Sequence, residues 1–226
     1  MALDVLYEDN HLIVVNKRSG ELVQGDKTGD KPISDDVKAY IKKKYNKPGD
    51  VFLGTIHRLD RPTSGVVIFA RTSKALSRMN ALFQKKEVRK TYWAVVESAP
   101  KSTSGVLENY LLKNEKQNKS YVVEKGRSGA KMAELDYRQI AASDKYFLLE
   151  IDPKTGRHHQ IRVQLSQMGS IIKGDLKYGA KRSNKDGSIC LHARKVSFVH
   201  PVKKEQLEII APVPDDKLWK FFEAKG

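Results

Sequence analysis

Two kinds of hydrophobic pattern run along this chain, and they do not alternate regularly. Short apolar runs, which are typical of strands, outnumber the stretches in which apolar residues recur every three to four positions, as in helices. A doubly wound sheet would need a helix after nearly every strand. The pattern therefore predicts an α+β fold, with strands at residues 5–7, 12–15, 51–56, 66–70, 88–96, 120–123, 132–140, 146–151, 189–199 and 206–210.

Four segments carry helical spacing or helix-boundary signals. Residues 35–45 have apolar positions on one side, and residues 215–224 form a closing helix. Thr72 or Ser73 can cap a helix whose apolar stripe includes Met79. Residues 156–168 are followed by a glycine, which often ends a helix. A chain of 226 residues can build one good core, and we expect a single domain whose core is divided between two lobes.

The chain is strongly basic. It has 42 Lys and Arg against 27 Asp and Glu, a formal net charge of +15. Such an excess favours a polyanion, either nucleic acid or an acidic membrane surface. The basic residues are spread over the sequence, with groups at 42–44, 113–119, 125–131 and 177–185. We therefore expect a broad cationic face whose binding weakens as salt rises.

Cysteine content and the lengths of the apolar runs bear on the compartment. Cys190 is the only cysteine, which excludes internal disulfides and thiolate zinc sites and favours a reducing cytosol. No apolar run reaches the roughly 20 residues of a membrane span. The first residues lack the basic and apolar regions of a secretory signal. The sequence predicts a cytoplasmic protein.

Residues 57–65 (HRLDRPTSG) place an aspartate between two arginines in a loop between two predicted strands. Loops on a rigid scaffold are where catalytic residues are often placed. Arg58 and Arg61 would keep Asp60 ionised, because a nearby cation lowers a carboxyl pKa by roughly 1–3 units. An ionised carboxylate suits a nucleophile or an electrostatic stabiliser. The alternative is a turn closed by an ion pair, since structural pairs perturb acids too.

Two further segments carry more polar chemistry than a structural element needs. In residues 89–94 (RKTYWA) an aromatic pair interrupts a basic strand, and residues 155–162 (TGRHHQIR) precede or begin a helix. Taken singly, Tyr92 is typical of a half-buried strand residue and Arg162 of a surface cation. The adjacent histidines would point about 100° apart on a helix, a poor geometry for a shared metal. Dinucleotide, P-loop and zinc-protease motifs are absent, so neither a metal nor a cofactor is predicted.

Together these segments resemble the RluA-type family of RNA pseudouridine synthases. HRLD at 57–60 with TSG at 63–65 is similar to the family's active-site signature. KTYWA at 90–94 is similar to its K-x-Y-x-A strand, and residues 156–162 to its G-R-x-H-Q-I-R segment. Further matches are Gly174-Asp175 with Tyr178-Gly179, and Leu191-His192-Ala193 with Phe198, His200 and Pro201. The resemblance runs from about Leu3 to Pro212.

The resemblance implies a mixed, mostly antiparallel sheet in two lobes with flanking helices and a central basic cleft. It implies a catalytic domain over residues 1–226 that isomerises uridine in ribosomal or transfer RNA and needs no cofactor. Asp60 is then the catalytic carboxylate, attacking C1′ or abstracting the C2′ proton. Arg162 is expected to pair with Asp60. Tyr92 is expected to stack on the base and help to remove the C5 proton.

The resemblance also implies a set of RNA contacts made by a monomeric protein. The target uridine must leave its stack, and Arg58 is expected to fill the space it leaves. The other residues expected to contact substrate or RNA are His57, Arg61, Thr63, Arg157, His158, Gln160 and Leu165. Which RNA is modified is expected to depend on the basic loops at 113–131 and 177–185.

The sequence departs from the family pattern in three places. Arg18 and Ile171 stand where proline is usual, and Gln164 replaces a common histidine. These changes bear on loop shape and RNA contacts more than on chemistry. We also expect no small N-terminal S4 module of the kind that many relatives carry, so that the basic surface itself docks RNA.

Two other classes of function fit part of the pattern. A non-catalytic RNA-binding protein would explain the charge equally well, but it gains nothing from an acid at the centre of a cationic cleft. A glycosidase needs two carboxylates roughly 5–10 Å apart. Asp175 is the only distant candidate for a partner of Asp60.

Overall fold

The computed structural model describes residues 3–26 and 28–225, and in this part of the chain it has eleven strands and four helices. In chain order the elements are β1 (Val5–Glu8), β2 (Leu12–Lys17), α1 (Ile33–Lys44), β3 (Gly54–Thr55), β4 (Ser64–Ala70), α2 (Ser73–Gln84), β5 (Arg89–Val96), β6 (Ser104–Asn114), β7 (Lys119–Val123), β8 (Lys131–Ala142), β9 (Phe147–Pro153), α3 (Gln160–Met168), a 3₁₀ turn (Leu176–Tyr178), β10 (Leu191–Val199), β11 (Gln206–Ile210) and α4 (Lys217–Glu223). The predicted α+β class is confirmed.

The elements form two compact units. The first unit comprises the residues up to Lys90 together with Ala193–Pro212, and the second comprises Thr91–His192 and the residues from Val213 on. In the first unit the strand order is β1-β2-β4-β10-β11, with β3 paired to β4. In the second unit the order is β5-β9-β8-β6-β7. In the first unit β1–β2, β2–β4, β3–β4 and β10–β11 pair antiparallel, and in the second unit so do β5–β9, β8–β9, β6–β8 and β6–β7.

The sheet of the first unit is covered on both faces. Strands β2 and β4 therefore contain unbroken apolar runs, at residues 12–15 and 66–70, in place of an alternation with polar residues. One face packs against α1 and the other against α2. The α1 side is formed by Ile13, Val15, Val67 and Phe69 with Val37 and Ile41, and the α2 side by Leu12, Val14, Val66 and Ile68 with Ala75 and Met79.

The core of the second unit lies between its sheet and helices α3 and α4. Ile161 and Leu165 of α3 share one apolar cluster with Trp219 and Phe222 of α4. Strand β8 contributes alternate residues to this cluster, as expected for a strand that buries one face. The strand residues of the cluster are Trp93, Ala94, Val95 and Val96 of β5, Leu135 and Tyr137 of β8, and Leu148, Leu149 and Ile151 of β9.

Several predicted elements are confirmed. The hairpin of β1 and β2 turns at Asp9, whose carboxylate accepts from the backbone N–H groups of His11 and Leu12, both at 2.8 Å. Helix α2 is capped by Thr72, whose hydroxyl accepts from Ala75 N at 3.1 Å. Gly169 ends α3 in the left-handed region, with φ at 90°.

Three elements differ most from the prediction. The strand predicted at 51–56 is reduced to Gly54–Thr55, because Val51 and Leu53 pack against the α1 cluster as irregular chain. Helix α3 begins at Gln160 and not at residue 156. Strand β6 was not predicted, and its burial pattern gives the physical reason: most of its side chains are exposed or only partly covered.

Gly65 in β4 lies where no side chain fits. Its φ is +114°, and a Cβ there would come within 2.3 Å of the Ala193 carbonyl oxygen. Gly65→Ala should therefore lower the free energy of unfolding by about 2–5 kcal/mol through the clash and the strained backbone. Urea unfolding measures this loss. Gly25→Ala, where a Cβ meets nothing within 4 Å, is the control; equal stability of the two variants would contradict the prediction.

Candidate active site

Asp60 lies in the loop between β3 and β4, and this loop is held to the turn that follows β2. The hydrogen bonds run from Thr63 N to Asp60 O (3.0 Å), from Gly20 N to Arg61 O (2.8 Å) and from Ser19 Oγ to Pro62 O (3.0 Å). The backbone that follows Asp60 is therefore held by Ser19 and Gly20, which are distant in sequence.

Lys17, the last residue of β2, is fully buried beside this loop. Its ammonium group donates to the carbonyl oxygens of Arg18 at 2.9 Å and of Arg61 at 3.1 Å. Burial lowers the pKa of Lys17 to about 8, while the negative charges of Glu21 and Asp60 oppose that shift. The sequence predicts no role for this residue. Its only signal is a lysine at the end of a strand that begins with four apolar residues.

The buried ammonium of Lys17 should make stability depend on alkaline pH. Because the folded-state pKa lies below the ordinary 10.5, the unfolded chain binds one more proton between pH 8 and 10.5. The cost of burying the charge is complete below pH 8 and disappears as pH rises through this window. As pH rises through this window, the free energy of unfolding of the wild type should increase relative to that of Lys17→Met, by roughly 3 kcal/mol at most.

Urea unfolding at several pH values tests this. Lys38→Met, at an exposed position of α1, is the control and should show a constant difference from the wild type. A constant difference for Lys17→Met as well would contradict the buried, charged state.

Arg61 does not form the cage around Asp60 that the sequence predicts. Its Nε donates to Gly20 O at 3.0 Å, and its NH1 forms an ion pair with Asp30 at 2.8 Å. These contacts brace the turn after β2 and the loop before α1. Arg58 is exposed in the same loop as Asp60.

His57 makes structural contacts. Its Nε2 accepts from the backbone N–H of Ile68 at 3.1 Å, and its ring stacks on Phe83 at 5.3 Å. Burial, aided by the positive charge of Lys90, lowers the pKa of His57 to about 3, so the ring is neutral. The start of the Asp60 loop is thereby anchored to β4. Thr63 is 2% exposed, and among the described residues its hydroxyl has no hydrogen-bond partner.

In the second unit, Arg162 of α3 is held by a buried carboxylate. Its Nε donates to Asp175 Oδ2 at 2.7 Å, and its NH2 donates to Oδ1 at 2.8 Å. The two side chains are 6% and 1% exposed. The guanidinium carbon lies 5.1 Å from the centre of the Tyr178 ring. Such a two-point contact fixes the plane of the guanidinium. Asp175, considered above as a second acid and as part of a family match, is thus the described partner of Arg162.

The Tyr178 hydroxyl connects the start of α3 to β7. It accepts from Ser120 N at 2.9 Å, donates to Ser120 O at 3.2 Å, and lies 2.9 Å from His159 Nδ1. Burial, with the charge of Arg162, lowers the pKa of His159 to about 2, so its ring is neutral. His159 itself has a left-handed backbone, with φ at 53°. This network therefore holds the first turn of α3, and with it Arg162, in place.

Two residues expected to contact RNA are buried in the second unit. Gln160 Oε1 accepts from Arg157 N at 3.0 Å, and its Nε2 donates to Glu134 O at 2.9 Å, so this side chain holds the turn before α3. Leu165 is fully buried in the core. In the structure Gln160 is 4% exposed and Leu165 is 0% exposed.

The other expected residues of the second unit are accessible. Arg157 is exposed, and its Nε donates to Met132 O at 2.9 Å. His158 lies 2.9 Å from Ser120 Oγ and 3.1 Å from Asn118 Oδ1. It stacks on His159 at 3.8 Å and precedes α3, so the two rings do not diverge along a helix. Tyr92 pairs with Ile151 across β5 and β9 and is half-buried against the core.

The three expected catalytic residues are divided between the units: Asp60 belongs to the first, and Tyr92 and Arg162 belong to the second. The second unit brings Arg162 together with Asp175, Tyr178 and His159. Over the described ranges, no three His, Cys, Asp or Glu side chains are grouped so that they could share a metal ion. None of the helices in these ranges has the length and hydropathy of a membrane span.

The chain is similar in sequence to known RNA pseudouridine synthases. The family profile described as RNA pseudouridylate synthase matches residues 11–167. The ribosomal large subunit pseudouridine synthase C of Vibrio cholerae is 34% identical over 215 residues, which is 92% of this chain and 65% of the relative. An uncharacterized RNA pseudouridine synthase of Synechocystis is 32% identical over 216 residues, 94% of this chain and 66% of the relative. The chain thus spans about two thirds of the length of these relatives.

A third relative and two solved structures extend the comparison. An uncharacterized RNA pseudouridine synthase of Bacillus subtilis is 31% identical over 220 residues, 95% of this chain and 70% of the relative. The human RNA pseudouridylate synthase domain containing 4 superposes with a TM-score of 0.80 at 25% identity, over 97% of this chain and 92% of that one. The human RNA pseudouridylate synthase domain containing 1, at 23% identity and TM-score 0.71 over 96% and 86%, shares the fold. This chain therefore belongs to the RNA pseudouridylate synthase family, in its RluA-type branch.

Proposed function

We propose that this chain isomerises uridine to pseudouridine in ribosomal RNA of the large subunit. The observation that carries the proposal is the Asp60 loop. This loop contains the family's signature, and the buried Lys17 holds its backbone through a hydrogen bond to Arg61 O. The net charge of +15 supports an RNA substrate. The name of the Vibrio cholerae relative supports the large ribosomal subunit as the source of that RNA.

The reaction exchanges one bond of uridine for another. The N1–C1′ bond breaks, the base rotates, C5 joins C1′, and the proton on C5 leaves while N1 gains one. Substrate and product have the same composition, so no oxidant, reductant or group donor is consumed. Asp60 begins the sequence as a carboxylate, either by attack on C1′ or by removal of the C2′ proton.

Arg162 and Tyr92 complete the proposed catalytic set. The guanidinium of Arg162 has five N–H donors, and two of them serve Asp175. In the role that the family resemblance assigns to it, Arg162 also pairs with Asp60 and keeps that carboxylate ionised and oriented. Tyr92 stacks on the base and helps to remove the C5 proton.

The target base must leave its stack before Asp60 acts. Unpaired loops are the favoured sites, because extrusion costs least there. Arg58, which is exposed beside Asp60, fills the space that the base leaves. The hydroxyl of Thr63 is the candidate for a hydrogen bond to the target nucleotide, because it has no partner among the described residues. Arg157 and His158 contact the RNA backbone.

Sequencing-based mapping of pseudouridine tests the substrate. The purified protein is incubated with transcripts of large-subunit ribosomal RNA and of transfer RNA, and each modified position is located. At least one site in the large-subunit transcript is expected. Sites in transfer RNA alone would move the proposal to that substrate. No site in either RNA, with tight salt-sensitive binding, would favour the non-catalytic RNA-binding protein.

A further inference from the structure

The hairpin of β6 and β7 carries an open cleft in the second unit, and none of its residues takes part in the proposed catalytic set. The cleft has a volume of about 820 Å³. Its walls are the end of the hairpin and the loop that follows β7. It is lined by Leu112, Lys113, Asn114, Tyr121, Val123, Glu124, Lys125, Gly126 and Arg127.

The strand register explains why the cleft has an apolar floor. Leu112 pairs directly with Tyr121, and Tyr110 pairs with Val123, so these side chains share one face of the hairpin. The opposite face buries Leu111 with Val122 against Tyr178 and Val163. The Tyr121 face therefore points away from the core, and Tyr121 is 39% exposed.

Tyr121 is held in a fixed orientation at the surface. Its hydroxyl donates to the side-chain oxygen of Gln117. The ammonium of Lys119 lies 5.3 Å from the centre of its ring and covers one face. A planar ring with one face under a cation presents its other face as a stacking surface, and any RNA base has a π-face that can stack on it.

The rim of the cleft is cationic. Lys113, Lys125 and Arg127 are exposed around it, against a single acid, Glu124. Residues 113–131 hold six basic and two acidic side chains, a net charge of +4. The ion pair between Lys113 and Glu115, at 2.6 Å, is exposed, so a phosphate can compete with that carboxylate.

We propose that this cleft binds one unpaired nucleotide of the substrate RNA, distinct from the target uridine. Its base stacks on Tyr121 above the floor of Leu112 and Val123, and its flanking phosphates lie against Lys113, Lys125 and Arg127. The inference rests on the proposed function only in taking the substrate to be RNA. An aromatic platform inside a basic groove is the combination that single-stranded nucleic acid requires.

The hairpin is a firm support for such a contact. Ser120, between Lys119 and Tyr121, is fixed by both backbone bonds to the Tyr178 hydroxyl. Its own hydroxyl donates to His158 O at 2.7 Å. Lys177 Nζ donates to Asn118 O at 3.1 Å and closes the turn of the hairpin. The strand that carries Tyr121 is thus joined, through Ser120, to the network that holds the start of α3.

Binding of a fluorescent 20-residue oligouridylate tests the platform without any need for catalysis. Tyr121→Ala should weaken binding about tenfold, whereas Tyr121→Phe, which keeps the ring, should stay within about twofold of wild type. The matched control is Phe221→Ala in α4, an aromatic of the same 39% exposure that also lies near a lysine. It should leave binding within about twofold of wild type. Thermal unfolding confirms that each variant is folded.

An abasic ribose-phosphate oligomer of equal length separates stacking from charge. The wild type should prefer oligouridylate to the abasic oligomer, and Tyr121→Ala should lose most of that preference. Lys125→Ala and Arg127→Ala should each reduce the slope of log affinity against log salt by about 0.7. Equal competition by polyglutamate and by RNA would assign the cleft to an acidic protein and overturn the proposal.

The assay distinguishes failure of the cleft from failure of the proposed function. On an RNA that the wild type modifies, Tyr121→Ala should raise KM about tenfold and leave kcat unchanged. If the wild type modifies no RNA but Tyr121→Ala still weakens oligouridylate binding, the cleft stands and the enzymatic function fails. If the wild type is active and Tyr121→Ala matches Phe221→Ala in both affinity and KM, the cleft proposal is wrong.

Discussion

Replacing Asp60 with asparagine should lower the rate of pseudouridine formation by about 10⁴-fold or more at saturating RNA. Asparagine has nearly the same size and retains an acceptor oxygen, so the loop pinned by Lys17 keeps its shape. It has no negative charge with which to attack C1′ or remove the C2′ proton. Single-turnover assays at saturating RNA measure the chemical step directly.

The control for Asp60→Asn is Asp30→Asn. Asp30 is a half-exposed carboxylate that pairs with Arg61, one residue from Asp60. Asp30→Asn should keep activity within about threefold, because an exposed ion pair contributes little. Both variants should bind RNA and unfold like the wild type. An Asp60→Asn protein that retained a tenth of the wild-type rate would remove Asp60 from the chemistry.

Replacing Arg162 with methionine should abolish activity and also lower the free energy of unfolding by about 3–5 kcal/mol. The cost in stability arises because Asp175, which is 1% exposed, loses both donors of its ion pair. A buried carboxylate without a partner is strongly unfavourable. Urea unfolding and pseudouridine formation are measured on the same preparation.

A double variant separates the two effects of Arg162. Arg162→Met with Asp175→Leu removes both charges and replaces them with apolar side chains, which is often neutral or stabilising. The pair should therefore recover most of the lost stability and none of the activity. Recovery of activity along with stability would limit Arg162 to a structural role.

Local pattern was sufficient for much of the fold and for the centre of the candidate site. The unbroken apolar runs of β2 and β4 predict strands, and in the structure their sheet is covered on both faces. A capping residue that precedes apolar residues at helical spacing predicts α2. The loop of residues 57–65 indicates a functional site because a connection between two strands does not by itself require an aspartate between two arginines. Each of these signals lies within about ten consecutive residues.

Partners that are distant in sequence could not be inferred from the sequence alone. Asp175 is 13 residues from Arg162, and only the packing of α3 against the following turn brings the two together. Lys17 reaches the carbonyl of Arg61 across 44 residues. Conversely, Arg61 is adjacent to Asp60 in sequence but forms its ion pair with Asp30.

Burial explains the remaining differences between the sequence pattern and the structure. Gln160 and Leu165 belong to a segment that resembles the family's motif, but the motif does not distinguish a residue that supports the site from one that faces RNA. In the structure Gln160 holds the turn and Leu165 fills the core. Strand β6 was missed because most of its side chains are exposed or only partly covered, and the apolar alternation is weak as a result.

Release of tritium from C5-labelled uridine decides whether the Asp60 loop belongs to a working pseudouridine synthase. Each turnover frees the hydrogen on C5, so released tritium counts product. Wild-type protein should release tritium from a large-subunit ribosomal RNA transcript in proportion to the sites modified, and Asp60→Asn should release none above background. Equal release by the two proteins, or none by the wild type from ribosomal and transfer RNA that it binds, would contradict the assignment.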